Sequence, residues 1–430
     1  MEAWSVSKKP EDRTQFQRDY DRIIFSSPFR RMQNKTQVFP LPEHIFVHNR
    51  LTHSLEVASV GRSLGNLLAE KLIPRHPENP FVSEIGTIVS TSCLAHDLGN
   101  PPFGHSGEAA ISNFFRNGAG QEFKKELTKG EWKDFTHFDG NANAFRLLTH
   151  QFNGKRPGGF ALTYSTLAGV VKYPFESVFA EKPKFGFFQS EKEDYRKIAA
   201  ELNISTKNNA GVYSRHPLVY LVEAADDICY QIMDLEDAFK LGILSYDQTK
   251  NLYLGFYDPE TDKKTLSNIS DTLNRVADQN EQISYLRAGV IGKLIYESTR
   301  IFDQNSETIL AGNFTGSLIG ALQNRQAEAM KKVREISFSQ VYAHRSVVEI
   351  EIAGYKIIGT LLEEFVGAIM YPEDLYSKKI LSLLPAQYKV DSDSAYLKIQ
   401  SIVDFVSGMT DIFALDLYRK IKGISLPGVV

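Results

Sequence analysis

Apolar positions recur at helical spacing through most of the chain. In "LTHSLEVASVGRSLGNLLAEKL" (51–72) they return every three to four residues, and the same period runs through "VSEIGTIVSTSCLAHD" (82–97) and "HPLVYLVEAADDICYQIMDLEDAFKLG" (216–242). Such spacing lines one face of a helix, so each stretch is expected to be helical, as are 280–302, 316–333, 344–370 and 395–421. Strand-type alternation closed by hairpin turns is scarce. The expectation is an all-α fold with at most one short hairpin of unassigned position. Irregular connections are expected at 73–81, 118–140 and 152–160, the last carrying "NGKRPGG", and 180–215 is poorly periodic. A weak boundary near 255–265, "GFYDPETDKK", separates an N-terminal part from a helical C-terminal part of what reads as one large unit, 1–430.

Composition sharpens this picture in three ways. With 430 residues, 42% hydrophobic and 23% charged, the chain has material for a large core. Its net charge of -3 excludes a general positive coat for duplex DNA and leaves room only for a local basic pocket. The two cysteines, Cys93 and Cys229, fall inside apolar helical stretches, which excludes a disulfide framework or cysteine zinc site and points to a reducing, cytoplasmic setting. The start, "MEAWSVSKKPEDR", is too polar for a signal peptide. No apolar run approaches the roughly 20 residues that span a bilayer, so no membrane association is expected.

Chemistry concentrates in "CLAHDLGNPPFGHSGEAAI" (93–111), where His96 and Asp97 close an apolar run and a Pro-Gly turn leads to His105 and Glu108. Gathering this much imidazole and carboxylate beside apolar chain is unfavourable unless something compensates it. A divalent cation would. His53 lies upstream in "HNRLTHSLE", and Asp226 and Asp227 lie on the long stretch 216–242. Two imidazoles and two carboxylates suit Mn²⁺, Fe²⁺, Mg²⁺ or Zn²⁺, with positions left for water and a phosphate oxygen. At about 100° per residue, Val222, Ala225, Cys229, Ile232 and Met233 define the apolar arc, Asp226 falls at its edge and Asp227 points away. Asp226, Tyr230 and Asp234 then form one polar stripe bordering the core, which selects Asp226 as the ligand. His105 and Glu108, three apart at the expected start of a helix, share a face, so the carboxylate can orient the imidazole as an acid-base pair. "GVIGK" (289–293) is set aside as a phosphate loop, because Arg287 stands where the earlier glycine is required and no strand precedes it.

Together, "HNRLTH", "HD" and "AADDICY" resemble the HD-domain superfamily of metal-dependent phosphohydrolases. The likeness sharpens over "RDYDRIIFSSPFRRMQNKTQVF" (18–39), "AHDLGNPPFGHSGE" (95–108), "THFDGNANAFRLL" (136–148), "LTYSTLAGVVKYP" (162–174) and "VSGMTDIFALDLYRKI" (406–421), which resemble, in order, the bacterial deoxyguanosine triphosphate triphosphohydrolases. That resemblance implies an HD metal-binding core at approximately 48–240 and C-terminal helices at approximately 265–430 that complete the substrate pocket. It implies cleavage of a deoxynucleoside triphosphate to deoxynucleoside and tripolyphosphate, with one divalent ion, Mn²⁺, Mg²⁺ or Fe²⁺ (Zn²⁺ or Ni²⁺ in a purified sample), held by His53, His96, Asp97 and Asp226.

The other roles come from the same resemblance. His105 acts as the acid, oriented by Glu108, and His137 matches a third active-site histidine. Arg50, Lys172 and Tyr173 meet the triphosphate, Gln37 the sugar 3′ hydroxyl, and Tyr230 and Asp234 the sugar and triphosphate. Tyr342 and Glu351, in "VYAHRSVVEIEIAGYKII" (341–358), meet the base. A closed homo-oligomer, hexamer or tetramer, is implied, and single-stranded DNA is an effector in some relatives of this kind. Where the guanine-specific enzymes place arginines after the closing helix, this chain has Lys378 and Lys379, which leaves base preference open. The competing readings are an HD-type 5′-nucleotidase or phosphodiesterase, and a nucleotide-sensing or DNA-binding module.

Overall fold

A computed structural model describes residues 13–39, 47–207 and 211–426, so the polar N-terminal stretch 1–12 lies outside the described residues. Among them the fold is all-α. Bridges occur only as the isolated pairs Thr36–Asn49, Glu176–Phe187 and Thr206–Tyr213, and no hairpin ladder forms. No described helix is long and apolar enough to cross a membrane.

The helices that carry the candidate ligands form as their local sequence dictates. Asn49 caps the helix Arg50–Leu72: its side chain accepts from the Thr52 amide at 2.9 Å, and the Thr52 hydroxyl oxygen accepts in turn from the Asn49 amide at 3.1 Å. That cap puts Arg50 and His53 one turn apart on one face. The helix Ile85–Ala95 packs closely against it, since a Cβ on Gly65 would stand 2.7 Å from the Gly86 Cα. The long helix Val219–Lys240 crosses both, burying Leu221, Ala225, Ile228 and Ile232. These three elements share one core. A second core joins the helix Gly104–Asn117, through Ile111 and Phe115, to Arg345–Met370 and Ala395–Ser407.

Several sequence expectations are corrected. The stretch 316–333 becomes a helix only from Asn324 to Ile336. Gly316, at φ 87°, and a run of turns precede it, and the helical spacing of Leu318, Ile319 and Leu322 reflects turn residues anchored in the core. The stretch 395–421 breaks at Gly408, and Thr410 caps a new helix, Asp411–Ile421. Residues 118–140 hold a 3₁₀ segment, Ala119–Glu126, and the helix Lys129–Thr136, started by a Thr128–Glu131 capping box. The helix Lys192–Glu201 lies inside the poorly periodic 180–215. The chain does not part near 255–265, where Phe256 and Tyr257 are buried in the first core. "GVIGK" lies within the helix Gln279–Gln304.

Candidate metal centre and active-site cavity

His96 and Asp97 sit in the first turn beyond the helix Ile85–Ala95. The His96 Nδ1 donates to the Cys93 carbonyl at 2.6 Å, which fixes the tautomer and leaves Nε2 as a lone-pair donor. That Nε2 is buried with no hydrogen-bond partner, and one oxygen each of Asp97 and Asp226 stands 3.5 Å away. His53 Nε2 lies 3.2 Å from the same Asp226 oxygen. His53, His96 and Asp97 each offer a donor atom within 4.8 Å of the others. An orphaned imidazole nitrogen facing two carboxylates is a donor set that suits a divalent cation.

The electrostatics agree. Burial alone would lower the His96 pKa, but Asp97 and Asp226 outweigh it and push it up to about 9. Burial would raise Asp226, yet His96 and His53 hold it well below the usual carboxylate range. Asp97 is likewise held down against its burial by Arg50, whose guanidinium donates to it at 2.7 Å. Cationic charge is what stabilises this cluster, and a bound metal would supply it in place of a proton.

A cavity of about 290 Å³ opens over these groups, lined by Gln37, Arg50, His96, Asp97, His105, Glu108, Lys172, Tyr173, Asp226 and Tyr230, among others. His105 Nδ1 is 2.9 Å from Glu108 Oε2, and the Gly140 amide donates to Glu108 Oε1 at 2.7 Å. Burial would raise the Glu108 pKa, but the His105 bond and Lys184 charge hold it down, so the carboxylate stays ionised. Lys172 pairs with Glu223 at 3.2 Å, and its ammonium stands 5.8 Å from the centre of the Tyr173 ring.

Residues 321–420 match a phosphohydrolase-associated domain and residues 50–156 match the HD domain. A deoxyguanosinetriphosphate triphosphohydrolase-like protein of Synechocystis is 38% identical over 96% of this chain and 95% of its own length. The chain belongs to this deoxyguanosinetriphosphate triphosphohydrolase-like family. A member from Listeria monocytogenes is 34% identical over 97% of this chain and 96% of its own. A Yersinia enterocolitica deoxyguanosinetriphosphate triphosphohydrolase is 28% identical over 94% and 93%. As a family member with an HD domain, the chain is a hydrolase.

Not every family-derived expectation meets in this cavity. His137 lies instead in a separate surface cavity with Arg116, Lys124, Trp132 and Lys133, 3.2 Å from the Lys133 ammonium. Burial there and the charges of Lys133 and Arg116 lower its pKa to about 4, leaving a neutral imidazole. Tyr342 is behind the wall: its hydroxyl donates to Asp234 at 2.8 Å, and its ring stacks on Tyr230 with centroids 5.7 Å apart. Glu351 is exposed on the helix Arg345–Met370 and is not part of the lining. Asp227, read as pointing away, lines the cavity as well, its pKa raised to about 7 by burial against the opposing charge of Lys172.

Sequence reading missed Asn100, Asn141, Lys184 and Glu223, which also line the cavity. Asn100, whose side-chain amide donates to Asp97, was findable from its place in the "HDLGN" turn. Lys184, 3.1 Å from Asp139 and 3.8 Å from Glu108, had no such signal.

Proposed function

We propose that the protein hydrolyses a deoxynucleoside triphosphate, dGTP foremost, to the deoxynucleoside and inorganic tripolyphosphate. The observation that carries this reading is the shared cavity: metal-type donors, an imidazole–carboxylate pair and the cations Arg50, Lys172 and Lys184 all face one space. His53, His96, Asp97 and Asp226 would hold one divalent ion, Mn²⁺, Mg²⁺ or Fe²⁺. When bound, that ion polarises a phosphoryl oxygen and makes the attacking water more acidic.

The chain's own groups do the rest. Water attacks the α-phosphorus opposite the 5′ oxygen, and that oxygen, a poor leaving group as an alkoxide, takes a proton from His105. Glu108 holds the His105 Nδ1, leaving Nε2 for the transfer. Arg50, Lys172 and Lys184 offset the triphosphate charge. Gln37 has a buried Oε1 without a hydrogen-bond partner, which fits an acceptor for the sugar 3′ hydroxyl. Tyr230, backed by Tyr342 and Asp234, closes on C2′ and leaves no room for a ribose hydroxyl. Tyr342 and Glu351, the base contacts the resemblance implied, take no part in this reading: Tyr342 backs Tyr230, and Glu351 is exposed outside the lining. The C-terminal part, approximately 265–430, completes the pocket, and the chain works as a closed hexamer or tetramer. His137 has no part in this reading.

The test is incubation with each deoxynucleoside triphosphate and Mn²⁺, products resolved by ion exchange. Tripolyphosphate is expected, with dGTP turned over fastest. Orthophosphate or pyrophosphate would place the protein with the other HD phosphohydrolases, and ligand binding without turnover would make it a sensing module.

A further inference from the structure

Asp411 begins the helix Asp411–Ile421, but its carboxylate serves other parts of the chain. Oδ1 accepts from the Phe103 amide at 3.0 Å and Oδ2 from the Thr36 amide at 2.8 Å. Both amides adjoin the cavity: Thr36 precedes Gln37, and Phe103 immediately precedes the helix that carries His105 and Glu108. Phe103 has φ 61° and ψ 20°, a left-handed conformation that an aromatic residue keeps only where its surroundings hold it. The helix Arg345–Met370 is notched to receive it, since a Cβ on Gly354 would stand 2.4 Å from the Phe103 Cβ.

The rest of the turn between Asp97 and His105 is tied to the same elbow, 407–411. The buried Lys35 ammonium donates to the Asn100 and Ser407 carbonyls, and Asn143 donates to the Gly99 carbonyl at 2.7 Å and the Ser407 hydroxyl at 3.2 Å. An ionised carboxylate is acceptor-only and satisfies two N–H groups at once. We propose that Asp411 is a positioning residue: it clamps the left-handed Phe103 turn and so sets the His105–Glu108 pair against the metal-ligand turn. This rests on the reading of His105 as the acid.

Asp411→Asn keeps the size but turns one oxygen into a donor facing a backbone N–H, so one of the two bonds is lost. In the wild-type background kcat should fall by about tenfold or more with manganese content unchanged, whereas in a His105→Ala background the same substitution should change the residual rate by less than about twofold. Equal losses in both backgrounds, or an unchanged kcat, would overturn the proposal. The crystal structure of Asp411→Asn gives a readout independent of turnover: Phe103 should leave the left-handed region or the His105–Glu108 pair should separate, and unchanged geometry would overturn it. Should the asparagine variant not fold, Asp411→Glu, which retains both acceptors one methylene further out, should show the same dependence on His105, and its absence would overturn the proposal. Wild-type protein that cleaves no deoxynucleoside triphosphate would sink the function reading alone, and the crystallographic comparison would still decide the clamp.

Discussion

His53 and Asp226 are 173 residues apart in sequence, yet the His53 Nε2 lies 3.2 Å from the Asp226 Oδ1. Two helices have to be locked in register to do this, and the contact sits where His96 and Asp97 converge. Alanine at either residue removes one of the four donors. Turnover should fall by more than about a hundredfold, with manganese lost on dialysis in parallel. Full metal content in a variant, read by plasma emission spectroscopy, would remove that residue from the ligand set.

The His105–Glu108 pair makes a separate prediction, since neither residue belongs to the donor cluster. His105→Ala should lower kcat by about 10²–10⁴ and leave manganese stoichiometry unchanged. Glu108→Gln should fall between that variant and wild type, because the imidazole survives but loses the ionised partner that orients it. Coincident metal loss in His105→Ala would make His105 a ligand instead.

How much of this was legible depended on whether a signal was local. Residue spacing on a rigid helix separated Asp226, which lies beside His53 and His96, from Asp227, although both line the cavity. The all-α fold followed from the same periodicity. The helix Lys129–Thr136 was also local, written in its Thr128–Glu131 capping box, and was overlooked because its apolar period is short. Lys184 and Asp411 could not be read at all. Lys184 reaches Asp139 and Glu108 from an aperiodic stretch, and Asp411 meets Phe103 across 308 positions, so only tertiary packing makes them part of the site. His137 shows the converse, a residue whose motif matched but whose side chain packs elsewhere.

Tyr230 tests sugar selectivity. It lines the cavity and is held from behind by the stacked Tyr342, whose hydroxyl is tied to Asp234. Tyr230→Ala should narrow the preference for dGTP over GTP by about tenfold or more in kcat/KM, through loss of steric exclusion. An unchanged ratio would place the selectivity in another side chain.

Gly99 lies two residues beyond Asp97 and packs against the backbone of the helix Gly140–Thr149: a Cβ there would stand 2.1 Å from the Ala144 nitrogen and 2.2 Å from the Gly140 oxygen. Neither can yield as a flexible side chain would. Gly99→Ala should destabilise the fold by about 1–3 kcal/mol and weaken manganese binding, because the ligand turn must shift. Urea unfolding and metal titration check both, and a variant matching wild type in each would show that the turn has slack.

His48 carries part of the alkaline pH dependence of stability. Its Nδ1 is 2.7 Å from Asp237 and its Nε2 3.1 Å from Glu56, while the other oxygens of both carboxylates are buried without hydrogen-bond partners. Burial would lower its pKa, but these two bonds outweigh it and push the value up to about 10. The folded value lies above the unfolded one of about 6.5, so the protonated ring contributes its full stabilisation below that pH and loses it as pH rises through 10. The melting temperature should therefore decline progressively between these limits, as His48 releases its proton and leaves Asp237 and Glu56 without a cation. In His48→Gln that part of the slope should disappear, at the expense of stability at neutral pH. Parallel melting curves for the two proteins across the window would mean that other groups set the alkaline limit.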